Sequence, residues 1–178
     1  MRLAYPPRAA PGVSVAPAGT EAVATPAAPP ATAPPDPRLT SRRLLLADDD
    51  AVGREFVADL LQHLGLQLQT VGDGEAALQA AQQGEFDAIL MDLSMPRLGG
   101  LDTTRHIRAL GRHGRTPIVA ITASAFNDDR KHCRAAGMDG FVSKPVDPER
   151  LAGLLATLLA AAAAALSRAA RSGRRPSP

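Results

Sequence analysis

Four apolar runs in this chain each end on a residue able to serve phosphate chemistry. Leu44-Leu45-Leu46-Ala47 leads into Asp48-Asp49-Asp50, and Ala88-Ile89-Leu90-Met91 into Asp92. Ile118-Val119-Ala120-Ile121 leads into Thr122, and Phe141-Val142-Ser143 into Lys144-Pro145. If the runs are strands of an open parallel sheet, their carboxyl ends converge on one crevice. Carboxylates, a hydroxyl and an ammonium then meet at one edge, a set that can hold a divalent cation and a phosphoryl group.

Adjacent carboxylates repel one another and resist desolvation. A hard cation relieves both costs, and oxygen ligands at a strand end suit Mg²⁺. One Asp is enough to cap a following helix, and Asp50, next to Ala51, is expected to take that part. Asp48 and Asp49 are left to face the crevice. Asp92 can act as a phosphoryl acceptor once a cation and an ammonium neutralise the transferring group. Lys144 supplies the ammonium and Thr122 a short hydroxyl donor.

The elements that must position these residues are legible as periodicities. Arg43–Ala47 reads as a buried strand. Ala51–Leu64 carries Val52, Phe56, Leu60 and Leu64 as a helical stripe and ends at Gly65. Gln67–Val71 alternates as an edge strand. Gly74–Gln83 is helical and closed by Gly84, and Phe86–Met91 is a buried strand. Leu101–Leu110 is a helix with Ile107 and Leu110 inward, Gly111–Thr116 a basic loop and Pro117–Ile121 a strand. Asp128–Ala136 is a helix capped by Gly137, and Phe141–Ser143 is the last strand. Asp147 and Pro148 open a final helix running to about Ala165. Strict β-α alternation implies a parallel sheet with helices on both faces.

Composition sets the limits. The first 38 residues hold ten Pro and eleven Ala, too little apolar surface to offset ordering. The 178-residue chain is therefore divided into a disordered leader at 1–41, a domain at 42–166 and a disordered Arg-rich tail at 167–178. The net charge is +2, but the stretch Arg43–Arg150 has 12 basic and 16 acidic residues. The body is thus mildly acidic, which argues against a nucleic-acid reader. Cys133 is the only cysteine, so no internal disulfide forms; it is expected to be packed. The four His residues, at 63, 106, 113 and 132, are expected at the surface or core edge. Leu151–Leu166 is uncharged but, at 16 residues, short of the roughly 20 that span a bilayer. It reads as a packed helix and not a membrane span, and a cytoplasmic location is expected.

The stretches LLLADDD (44–50), ILMDLSMPRLGGLD (89–102), IVAITASA (118–125) and AAGMDGFVSKPV (135–146) resemble, in order, the response-regulator receiver domain of two-component signalling. The resemblance is strongest to the receivers at the ends of hybrid sensor kinases. It implies a flavodoxin-like, doubly wound five-stranded parallel sheet of order 2-1-3-4-5. It further implies that Asp92 is the phosphoacceptor and that Asp49, Asp92 and the backbone carbonyl of Ser94 ligate Mg²⁺, with Asp48 assisting. By the same resemblance Lys144 contacts the phosphoryl group, Thr122 moves onto it after phosphorylation and Phe141 takes the aromatic switch position. Ser94 and Ser124 border the path of the hydrolytic water.

The implied phosphodonor is a sensor histidine kinase or a histidine phosphotransfer protein, and the implied output is contact with a downstream protein. The expected function is that of a single-domain regulator or a phosphorelay shuttle, not an enzyme with turnover. Leu98-Gly99-Gly100 departs from the Met-Asp-Gly common in the family and motivates an alternative, a phosphorylation-independent interaction module on the same fold. A phosphohydrolase is a poorer match, because Asp92-Leu93-Ser94 lacks an acid two residues beyond the nucleophile.

Overall fold

The computed structural model describes residues 39–123 and 127–172; Ser124, most of the leader and the end of the tail lie outside them. Five strands alternate with five helices: β1 Arg43–Ala47, α1 Ala51–His63, β2 Gln67–Val71, α2 Gly74–Gln83, β3 Ala88–Asp92, α3 Gly100–Ala109, β4 Ile118–Thr122, α4 Asn127–Ala136, β5 Gly140–Ser143 and α5 Pro148–Ser172. The sheet order is β2-β1-β3-β4-β5, and every pairing is parallel. The chain has the flavodoxin-like doubly wound fold, with β2 at one edge as its alternation requires.

Two cores follow from the period-2 geometry of the strands. Leu44 and Leu46 point to one face, where Val57, Ala58 and Leu61 of α1 and Leu151, Leu155 and Leu159 of α5 cover them. Leu45 and Ala47 point to the other, against Ala77 and Ala81 of α2, Ile107 of α3 and Cys133 of α4. Burial pushes the Cys133 thiol above its ordinary range. Leu39 is also buried in the first core, so packing begins ahead of residue 42.

The inward face of α1 differs from the expected stripe. Val57, Ala58 and Leu61 are buried, while Val52 and Phe56 are 77% and 55% exposed. At 3.6 residues per turn a four-residue repeat drifts by about 40° per step. Val52 and Leu64 therefore cannot share one face.

His113 corrects another expectation. Its ring is 1% exposed, with Nε2 at 3.0 Å from the Ala81 carbonyl and 3.2 Å from that of Gly84, and Nδ1 at 3.1 Å from the Thr116 hydroxyl. The loop after α3 is thereby pinned to the end of α2. Arg108 braces the same loop by donating to the carbonyls of His113 and Thr116 and, from the same guanidinium, to the Gly137 carbonyl.

Helix α5 runs to Ser172 and not to about Ala165, because alanine is the best helix former and no breaker follows it. The stretch Pro148–Arg168 is long and apolar enough to cross a membrane, with mean hydropathy 1.7. In this fold its Leu151, Leu155 and Leu159 lie in the core.

Candidate phosphoacceptor site

Register places the chemistry. β1 and β3 pair up to Ala47↔Met91, so Asp48 and Asp92 leave the sheet side by side. Asp92 pairs with Ile121 and Thr122 with Ser143, which sets the next two site residues along the same edge. The Lys144 amide donates to the Thr122 carbonyl at 2.7 Å, and the Lys144–Pro145 bond is cis.

The Lys144 ammonium closes the cluster. Nζ donates to Asp92 Oδ2 at 2.6 Å and lies 2.9 Å from Asp48 Oδ2. The second contact has ion-pair distance without hydrogen-bond alignment, which leaves that buried oxygen short of a full partner. Asp48 Oδ1 accepts from the Asp50 amide and Asp92 Oδ1 from the Ser94 amide, both at 3.0 Å. Burial raises the Asp48 carboxyl above its ordinary value, against the opposing pull of Lys144. Burial lowers the Lys144 ammonium, but its contacts with Asp92 and Asp48 outweigh this and leave it raised.

Asp48 and Asp92 are buried and Asp49 is exposed, yet the three can bring carboxylate oxygens within 4.8 Å of one another. Three carboxylates face one ammonium, and one buried oxygen lacks an aligned donor. A hard divalent cation fits such an all-oxygen, charge-deficient set. Asp50 stands apart: its carboxylate caps α1 through the Val52 and Gly53 amides. Ser94 is exposed at the head of the next loop, and Thr122 is buried at the end of β4.

Three contributors carry no signal in spacing. Arg54 on α1 donates to the Asp48 carbonyl and so links the first helix to the acid-bearing loop. The Arg130 guanidinium sits 3.8 Å from the ring centroid of half-buried Phe141, within cation–π range. Gly100 is forced by a close approach, since a Cβ there would lie 2.1 Å from the Asp92 carbonyl oxygen. Gly99 is different: it is the N-cap of α3 with no side-chain cap bond, and a Cβ there meets only the Leu93 carbonyl at 3.7 Å. The departure from Met-Asp-Gly therefore removes a cap and leaves the acid cluster untouched.

The profile of the response regulator receiver domain matches residues 44–156, more than half the chain. The chain belongs to the response-regulator receiver family. Receiver domains are phosphoacceptor signalling modules of two-component systems. Among the similar curated proteins is the sensor histidine kinase RcsC of Salmonella typhi, 37% identical over 113 residues, 64% of this chain and 12% of that protein. The sensor histidine kinase GacS of Pseudomonas protegens is 37% identical over 123 residues, 66% of this chain and 13% of that one. The chain thus spans about an eighth of the length of these relatives. A solved receiver domain from the sensor histidine kinase PA1611 of Pseudomonas aeruginosa is 36% identical, with a TM-score of 0.65 over 68% of this chain and 99% of that one. That protein carries a magnesium ion coordinated in its active-site cleft.

Proposed function

We propose that this receiver domain accepts a phosphoryl group on Asp92 from a sensor histidine kinase or a histidine phosphotransfer protein, and signals through a changed protein-binding surface. The observation that carries the reading is the Lys144 ammonium held 2.6 Å from the Asp92 carboxylate at the mouth of the sheet. A carboxylate oxygen of Asp92 attacks phosphorus as the bond to the donor's imidazole nitrogen breaks. Charge on the transferring oxygens meets the Lys144 ammonium, which is half-buried and already in place. A magnesium ion held by Asp48, Asp49, Asp92 and the Ser94 carbonyl would supply the remaining charge neutralisation when bound. The Ser94 amide, bonded to Asp92 Oδ1, fixes the carboxylate plane.

The product bears more negative charge than the carboxylate it replaces. We assign Thr122 as the hydroxyl that follows this charge and Phe141 as the aromatic that moves with it, shifting the β4–α4–β5 face read by a downstream protein. The place of Gly99 at the α3 N-cap supports this reading over a phosphorylation-independent module, because a side chain there would meet the Leu93 carbonyl and not the acids. We place the exchange in the cytoplasm, where phosphorylated kinase partners and magnesium are at hand.

The test is intact-mass measurement after incubation with acetyl phosphate and Mg²⁺. The wild type is expected to gain one labile phosphoryl group and Asp92→Asn none. A wild type that stays unmodified, or an Asp92→Asn variant modified equally, overturns the assignment.

A further inference from the structure

The N-terminal end of the sheet, opposite the acid cluster, holds a cleft of about 510 Å³. One wall is the far end of α5, where Leu159, Ala162, Ala163 and Leu166 line it. These positions fall at i, i+3, i+4 and i+7, one face of a helix. Leu166 is 62% exposed, and the two central alanines leave room for another backbone to come close. The stripe lies beyond residue 156, on the part of α5 that the receiver profile does not cover.

The opposite wall is basic, with Arg42, Arg43, Arg112 and Arg115 around Phe86. Arg42 is paired with Asp87 at 2.9 Å. Among the described residues the other three guanidiniums have no carboxylate at ion-pair distance: Arg43 lies 5.6 Å from the Phe86 ring centroid, and Arg112 donates to the neutral Gln82 carbonyl. Glu85 is the one further acid in the lining. The cleft thus has an apolar α5 wall facing a rim that remains net positive, four Arg against Glu85 and Asp87.

We propose that this cleft is the docking groove for an acidic amphipathic helix of a partner protein. Leu159 is buried in the core at the base of the stripe, so apolar residues of the incoming helix would lie against Ala162, Ala163 and Leu166. Its flanking Asp and Glu residues would meet Arg43, Arg112 and Arg115. Charge complementarity selects the occupant, since a basic or neutral helix fits the stripe but leaves the rim unanswered. A flat anionic bilayer answers the rim but cannot enter a two-walled cleft. The groove is remote from Asp92, so the inference stands independently of the phosphoacceptor assignment.

The probe is a fluorescein-labelled peptide of about 18 residues, roughly five helical turns, with Leu at i, i+3, i+4 and i+7 and Glu on both flanks. Anisotropy with the full chain should give saturable binding that weakens as salt rises. A matched peptide with Lys replacing Glu should bind at least about tenfold more weakly. Arg43→Glu/Arg115→Glu and, separately, Leu166→Glu should each lose about tenfold or more, while Asp92→Asn binds as the wild type. All substituted side chains of the groove are exposed, and unchanged circular dichroism melting confirms intact folding. Absence of binding up to about 1 mM, equal binding of the Lys peptide, or indifference to Arg43→Glu/Arg115→Glu overturns the proposal. So does Arg-dependent binding to phosphatidylserine vesicles without peptide binding, which assigns the rim to a membrane surface.

Discussion

At the C-terminal end of the sheet, Asp48 and Asp92 are buried and share one ammonium. At the N-terminal end, Arg43, Arg112 and Arg115 stand exposed around an open cleft. The two ends carry opposite charge and hold it under opposite conditions. Buried charge is expensive without a partner, and each partner it does have is correspondingly strong. Exposed charge costs little, contributes little to folding, and remains available for steering a partner. The upper edge is therefore built for chemistry at one point, and the lower edge for contact over a surface.

The largest way to break the comparison is to press on the upper edge. Gly100→Ala sets a methyl 2.1 Å from the Asp92 carbonyl oxygen. Backbone cannot yield as a side-chain tip does, so α3 must move away from β3. The expected cost is about 3 kcal/mol, read by chemical denaturation, with phosphoryl acceptance from acetyl phosphate impaired in the folded fraction. A cost below about 1 kcal/mol would mean that the upper edge is not closely packed.

Removal of one cation at each end tests the contrast directly. Lys144→Met leaves two buried carboxylates without their shared partner. With the Lys144 side chain 26% exposed, we expect a loss of about 2–3 kcal/mol at neutral pH, short of the full cost of breaking a buried pair. Arg115→Met at the lower edge should stay within about 0.5 kcal/mol of the wild type. Equal effects at the two ends would abolish the distinction.

Much of the upper edge was readable because strand ends are set by topology, and apolar runs that stop at Asp48, Asp92, Thr122 and Lys144 leave few alternatives. Strand limits were less so. Asp92 and Thr122 belong to β3 and β4, although the hydrophobic runs stop before them, because ladder pairing with Ile121 and Ser143 extends both strands. The lower edge was hardly readable. The burial of His113 rests on contacts with Ala81 and Gly84 about 30 residues away in sequence, and no local pattern encodes them. The Arg130–Phe141 and Arg54–Asp48 contacts likewise arise only when separate elements pack. The α1 stripe failed for a geometric reason, the drift of a four-residue repeat.

A smaller effect concerns the loop that frames the acids. Asp73 caps α2 by accepting from the Ala76 amide at 2.8 Å, and it pairs with Arg97 of the β3–α3 loop. The Ala76 amide bond, with help from Arg97, holds its carboxyl below the ordinary value. A depressed carboxyl stabilises the fold above its unfolded pKa, and the contribution is lost as pH falls through the folded value. Asp73→Ala should therefore cost about 1 kcal/mol at pH 7, and the gap to the wild type should begin to close below about pH 4 and narrow further as the pH falls. Thermal melts at the two pH values separate this from a loss of packing, which would persist in acid.

The smallest effect is a gain. Gly99 sits at the α3 N-cap with φ −67° and ψ 157° and offers no side-chain acceptor. These angles suit any residue, and there is space for a Cβ. Gly99→Ser should stabilise the fold by about 0.5–1 kcal/mol, through a new cap bond and a less flexible unfolded chain. Gly99→Asp gains the same bond and a favourable helix dipole but adds a fourth carboxylate to an edge with three acids and one ammonium. If the upper edge is limited by its own negative charge, Ser will stabilise more than Asp at low salt, and the difference will shrink as salt is added. If Asp stabilises as much as Ser at low salt, the acid cluster's field does not reach the head of α3, and the charge contrast is confined to the immediate surroundings of Asp48, Asp92 and Lys144.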